Sequence, residues 1–298
     1  SCLVGSEMCI RDSNKYYTFE EYQTLIKDNQ TDKDGNLIYL YSNNLDEQYT
    51  YIDAAKSKGY NVLMMDGQLD VPMINMLEHK FEKSRFTRVD SDIIDRLIVK
   101  EEKHGEELAT DKKEFLSTVF QGQLPKIQKV EFHVETRALG ETVSPIVITQ
   151  AEYMRRMKEM ANIQPGMSFY GEMPDMYNLV LNSDHQLIKK VLEETESACA
   201  EKLVPIESEI AMLNLRQTEL RKAQEGKKDE DISTTDKDEL NNVEQKLNEQ
   251  KQQKTTVINE SAADNKIVHQ LIDLALLQNN MLKGEALTNF VKRSIELI

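Results

Sequence analysis

Apolar and polar positions follow two rhythms along this 298-residue chain. In the first third, short apolar runs bounded by turn residues read as buried strands: Leu37 to Tyr41 after Asp34-Gly35, Tyr60 to Met65 between Gly59 and Asp66-Gly67, and Arg85 to Val89. The intervening spacing predicts helices over Phe19 to Lys27 and over Asp46 to Lys58, with Gly59 as a left-handed stop. A third helix starts at Asp70, which can cap it; Pro72 sits in the first turn, and Met73, Met76 and Leu77 make one apolar stripe. The order βαβαβ favours a small parallel sheet with helices on its faces, an α/β unit over residues 14–90.

Residues 91–110, rich in Asp, Glu and Lys, read as a linker or solvated helix leading into a second domain over 111–298. Lys112 to Phe120 is helical, and Lys129 to Thr136 alternates Val130, Phe132 and Val134 against charged neighbours, as a half-buried strand does. Pro145 to Ile148 reads as a strand, Gln150 to Asn162 as a helix and Met176 to Leu181 as a third strand, which makes this domain α+β; it continues helical from Asp184. From Glu196 the pattern becomes heptads. Leu203, Ile206, Ile210, Leu213, Gln217 and Leu220 are matched, after a polar stretch, by Leu240, Val243, Leu247, Gln250, Lys254 and Val257. Two such stretches joined by a polar tip read as a coiled-coil arm over 196–264. Two apolar helices, Lys266 to Leu282 and Glu285 to Ile298, close the chain around a hinge at Gly284.

Composition narrows the classes. A hydrophobic share of 39% suits two soluble domains with a core each, and a formal charge of −15 argues against nucleic acid, whose phosphates need a dense Lys/Arg face. No apolar run approaches the roughly 18 residues of a membrane span. Cys2 and Cys9 lie in the first nine residues and Cys199 is alone in the body, so no disulfide framework is expected and a reducing cytoplasm fits. The opening SCLVGSEMCIRDS lacks a basic leader and resembles a spurious translated tail, so residues 1–13 are set aside. The frame is then expected to begin near Asn14 without a start methionine, as part of a longer protein whose N-terminal portion is missing.

Candidate catalytic chemistry is sparse. QTDKDGNLIYLY spaces Gln30, Asp32 and Asp34 like a calcium loop, yet its first ligand would be Gln30 and Tyr41 stands where a bidentate Glu is required, so an Asp-Gly turn is the better reading. The first strand-to-helix turn, YSNNLDEQ, has neither G-x-G-x-x-G nor a P-loop, which disfavours an enzyme with a sheet-bound cofactor. The histidines, His79, His104, His133, His185 and His269, are scattered without partners at ligand spacing. No catalytic, cofactor or metal residue is assigned.

Binding surfaces are better marked. Met154, Met157, Met160, Met167, Met173 and Met176 fall close together with Tyr153, Phe169 and Tyr170, and flexible, polarizable methionines can mould to many partners. MSFYGEMPDMY, apolar but broken by Gly and Pro, reads as an exposed loop beside that helix. At the chain end Ile267, Leu271, Leu274 and Leu277, with Leu287, Phe290, Val291 and Ile295, form a stripe wide enough to need two covers, one from its own domain and one from a second subunit.

These strings also carry a family resemblance. LDVPMINMLE leading into KSRFTRVDSD, EFLSTVF with KVEFHVETRAL, ITQAEYMRRMKEMA, YNLVLNSDHQLIKKV and the closing HQLIDLALLQNNMLKGEALTNFVKRSIELI resemble the ninety-kilodalton heat-shock chaperone family, bacterial HtpG type. The resemblance covers nearly all of the chain after Asn14; residues 196 to about 264 depart from the compact pattern, as an insertion would. It implies the end of a middle domain followed by a C-terminal dimerisation domain of a cytoplasmic, ATP-driven homodimeric chaperone that acts on unfolded clients. The ATP and Mg site is implied to lie in an N-terminal domain. By analogy the helix with Tyr153, Met154, Met157 and Met160 matches the family's client-contacting helix. A competing class is an interaction scaffold that binds through the arm.

Overall fold

A computed structural model describes residues 2–4, 7–12, 15–67, 70–100, 107–161, 168–225 and 233–296. Its first unit is built on β4 (Leu37–Ser42), flanked in parallel by β5 (Val62–Met64) and β6 (Ser84–Arg88). Every residue of β4 is buried, because helices cover both faces of the sheet. Side chains alternate accordingly. Leu37, Tyr39 and Tyr41 join Tyr22 and Ile26 of α1 (Phe19–Ile26) and Ile74 and Leu77 of α3 (Asp70–Lys80). Ile38 and Leu40 join Ile52 and Ala55 of α2 (Tyr49–Ser57) on the other face. Tyr39 stacks on Phe86 of the neighbouring strand, with ring centroids 4.6 Å apart.

Local signals explain the boundaries. Thr18 and Glu21 close a capping box at the start of α1, and Gly59 ends the loop after α2 with φ of 75°. The loop weighed as a calcium site is a self-capped turn. Asp32 Oδ1 accepts from the amides of Asp34 and Asn36, and the buried Gln30 side chain binds Ile38 O and the Asn61 amide.

The sheet is not purely parallel. Residues set aside on sequence grounds form β1 (Cys2–Val4) and β2 (Glu7–Asp12), which with β3 (Lys15–Thr18) pair antiparallel; β2 also lies antiparallel on the free edge of β5, with Arg11 opposite Met64. An unpaired edge is a template for any extended segment nearby, which the parallel pattern alone does not reveal. The expected linker also begins inside this unit: α4 (Ile94–Leu97) puts Leu97 and Ile98 into the same core as Ile38 and Leu40.

The second unit centres on a mixed sheet ordered β7 (Val130–Arg137), β9 (Asp175–Asn182), β8 (Ile146–Thr149), the first pair parallel and the second antiparallel. Its core draws Phe115 and Phe120 from α5 (Thr110–Gln123), Leu179 and Leu181 from β9, and Leu271 and Leu276 from α10 (Lys266–Gln278). α10 stops four residues before Leu282, because Asn280 takes φ of 58° and Met281 N bonds back to Leu276 O at 2.8 Å.

The arm is α8 (Gln186–Gln224), 39 residues with Pro205 inside, against α9 (Thr234–Ala262). All twelve heptad positions are buried or half-buried, and Arg216 to Glu239, Arg221 to Glu244 and Lys254 to Glu207 bridge the two helices. Its base belongs to the domain. Cys199, Leu203, Ile258 and Ala262 are in the main core, and a Cβ on Gly122 of α5 would collide with the Asn259 side chain. Beyond Ile206 the remaining turns of α8 reach about 27 Å into solvent.

Candidate functional site

The two units meet along α6 (Glu152–Ala161), whose opposite faces differ in kind. The outer side presents Tyr153, 69% exposed, with Met154, Met157 and Met160 half-buried around it. The neighbouring segment packed against α6 carries Phe169, 74% exposed. Phe169 is not in a loop: Ser168–Glu172 is a short helix, α7, since Gly171 and Pro174 fall at or beyond its last turn and do not interrupt it. The Tyr170 side chain and all of Met167 lie outside the described residues. Met160 Sδ approaches Asn75 Nδ2 of α3 at 3.8 Å, so the inner end of the methionine row already touches the first unit.

The inner side of α6 is a charged cluster that hydrophobic periodicity does not single out. Glu152 Oε1 accepts from Tyr41 Oη at 2.7 Å, from Arg155 Nη2 at 2.7 Å and from Arg156 Nε at 2.6 Å, while Oε2 accepts from the Arg88 amide at 3.1 Å. Arg156 continues to Glu78 Oε2 at 2.7 Å and to the Phe86 carbonyl at 2.6 Å. Arg155, 4% exposed, also reaches the Tyr41 hydroxyl and Glu159. Arg88 forks onto Asp90 at 2.5 and 2.9 Å, and Gln48 donates to the same carboxylate. Burial works against the Glu152 charge, but Arg155 and Arg156 outweigh it and hold the carboxyl below its usual range. Burial, with Glu152 beside it, pushes the Tyr41 phenol up, so it stays a donor. The available signal was the pair of adjacent arginines three and four residues after Glu152 on an amphipathic helix.

A second tie lies at the far edge of the junction. The Tyr51 hydroxyl of α2 sits on the Ile148 carbonyl and 3.0 Å from Asn279 Oδ1, while Gln278 donates to Thr50 at 3.2 Å. Between α2, residues 89–95 and the approach to β8 there is a cavity of about 430 Å³, lined by Ile93, Ile94 and Ile146 with Asp53, Asp92 and Lys58. Among the described residues no three His, Cys, Asp or Glu side chains converge to hold a metal. Cys199 is buried, donates to the Thr195 carbonyl at 3.0 Å and has its thiol pushed up by burial, which suits packing and not attack.

The terminal stripe divides in two. Leu271 (3% exposed) and Phe290 (8% exposed) are core residues of their own chain, with Ile267 and Leu287 packed against that core. Leu274, Leu277, Val291 and Ile295 remain exposed on α10 and on α11 (Gly284–Glu296). α11 lies antiparallel on α10 through Arg293 to Asp273 and Gln270 to Ser294.

Residues 8–206 match the family model described as Hsp90 protein. The chain belongs to the Hsp90 family. It is 68% identical over 284 residues to a chaperone protein htpG of Bacteroides fragilis, and 67% identical over 285 residues to that of Bacteroides thetaiotaomicron. A Porphyromonas gingivalis chaperone protein HtpG is 45% identical over 294 residues. These matches cover 95–96% of this chain but 42% of each relative, so the chain spans less than half their length. The Hsp90 model match ends at Ile206, where α8 leaves the core, whereas the Bacteroides matches cover 95–96% of the chain and so run on into the arm and terminal helices. No helix of the described residues of this Hsp90 chain is long and apolar enough to cross a membrane.

Proposed function

We propose that this chain supplies the homodimerisation and client-binding part of an ATP-dependent chaperone, and that it works by binding and not by catalysis. The observation that carries the client half is the exposure of Tyr153 and Phe169, two large aromatic side chains on adjacent helices, with half-buried methionines on the helix of Tyr153. A surface of this kind offers contact area without fixed hydrogen-bond geometry, which suits the varied segments of unfolded proteins. The dimer half rests on Leu274, Leu277, Val291 and Ile295, an apolar strip across two helices already locked to each other. Joining two chains there would hold whatever precedes them at high effective concentration, so that closure of paired ATPase domains becomes an intramolecular step. ATP, Mg and the residues that bind them are assigned to no position of this chain. A cytoplasmic setting agrees with the free buried thiol of Cys199.

The test replaces Tyr153 and Phe169 together with Ser. Both side chains are exposed, so melting should hold while suppression of client aggregation falls. Undiminished suppression by the folded double variant would refute the client assignment. The arm as a separate scaffold has one supporting feature, the exposed Val204, Met212 and Leu215 on α8, and predicts that suppression follows those residues instead.

A further inference from the structure

The charged side of α6 sits in a particular place in the fold. Among the parallel strands of the first unit β4 comes first in the chain, the next, β5, lies on one side of it and the last, β6, on the other, so the strand order reverses at β4. Open parallel sheets bind ligands outside the carboxyl ends of their strands at such a reversal. Tyr41 and Arg88 are paired residues at the carboxyl ends of β4 and β6, and the group seated on both is the carboxylate of Glu152 from the other unit. The crevice where a cofactor would sit is thus filled by an internal anion. It comes from the first residue of the helix whose next residue is Tyr153.

Directionality separates this contact from ordinary packing. An apolar helix back tolerates sliding and rotation, whereas charge-assisted bonds from a guanidinium fix both distance and angle. A buried ion cluster adds little net stability over a well-packed apolar substitute, so what it contributes here is orientation. Consecutive residues of a helix project about 100° apart, so seating Glu152 fixes where Tyr153 points. The cluster also has spare capacity: Arg155 Nε and Glu159 Oε2 are buried without hydrogen-bond partners.

We propose that Glu152 is a positioning residue for the client surface: seated at the reversal of the first unit's sheet, it sets the angle at which α6 displays Tyr153 and the methionine row. This rests on the client reading of α6 and adds that the junction between the units governs client affinity. Neither the family match nor the relatives' names assign Glu152, Tyr41 or the junction such a role.

The experiment uses the full chain with Glu152→Gln and, from the other unit, Tyr41→Phe. Amide hydrogen exchange of α6 reports its seating without any client, and fluorescence anisotropy with labelled, reduced and carboxymethylated α-lactalbumin reports client affinity. The expected result, at a temperature where both variants remain folded, is α6 exchange faster by at least roughly tenfold and affinity weaker by about fivefold or more in both variants, with dimerisation little changed. Glu152→Asp, which keeps the charge, should recover part of both effects. Unchanged α6 exchange in both variants overturns the proposal. So does faster exchange with unchanged affinity, provided Met154→Ser with Met157→Ser lowers affinity in the parent chain. If that methionine variant binds the probe normally, the client reading itself fails, a result distinct from the other two.

Discussion

Tyr41 of β4 donates its hydroxyl to Glu152 of α6 at 2.7 Å, joining residues 111 positions apart in sequence and in different structural units. The same hydroxyl accepts from Arg155, so one oxygen serves both a carboxylate and a guanidinium. Removing it takes one buried hydrogen-bond partner from each of them. Tyr41→Phe should lower stability by about 1–3 kcal/mol, the cost of buried polar groups left short of partners. Urea denaturation checks this, and a loss below about 0.5 kcal/mol would show that water or a side-chain shift replaces the hydroxyl.

The junction should weaken in acid. Glu152 is held below its ordinary value of 4.5, chiefly by Arg155 and Arg156 against the cost of burial, so the folded state binds fewer protons than the unfolded one. Its stabilising contribution is therefore fully present above pH 4.5 and is lost as pH falls below it through the lower folded value. Around it Glu78 pairs with Arg156, Glu159 with Arg155 and Asp90 with Arg88. Denaturation midpoints at pH 6 and pH 4 should differ less in Glu152→Gln than in the parent chain. Equal pH dependence in the two would assign the acid sensitivity elsewhere.

At the terminal stripe, the position of a charge should decide its effect. Leu274→Asp with Val291→Asp alters exposed sites and should leave a folded monomer. Leu271→Asp and Phe290→Asp break the chain's own core and should each cost at least roughly 2–5 kcal/mol, with loss of cooperative unfolding. Sedimentation together with circular dichroism separates the cases. A monomeric parent chain at micromolar concentration would remove the dimer reading.

The arm should be separable only above its base. Replacing residues 208–253 by a short turn leaves Cys199, Leu203, Ile258 and Ala262 in place and should preserve cooperative unfolding and dimerisation. Replacing 196–264 removes all four and should abolish cooperativity. Gly122→Ala, which drives a methyl into Asn259, should cost about 1–3 kcal/mol by the same logic of a tightly fitted base. Normal melting of Gly122→Ala would mean that the base of the arm repacks freely.

Calorimetry of the chain with ATP and Mg should show no saturable binding, since no phosphate-cradling turn follows β4. Measurable saturation would require a nucleotide site of a kind not assigned to any residue.

What the chain determined alone was everything governed by neighbours in sequence. The run LIYLYS became a buried parallel strand, Asp34-Gly35 and Gly59 became turns, and the heptads from Leu203 to Val257 became the seam of a hairpin. The family was legible for the same reason, as long strings of residues. Tertiary structure decided which covers met. Leu271 and Leu274 share a periodic stripe, yet one is core and the other surface, because only the docking of α10 against the sheet and α11 selects the protected face. Glu152, Arg155 and Arg156 were not singled out by the sequence pattern and form the inner, charged side of α6, since their partners Tyr41, Glu78 and Arg88 arrive from strands and a helix more than 60 residues upstream. Periodicity reports that a side chain lies on one face of its helix; whether that face meets water or an opposing charge depends on packing between distant elements, which no local pattern encodes.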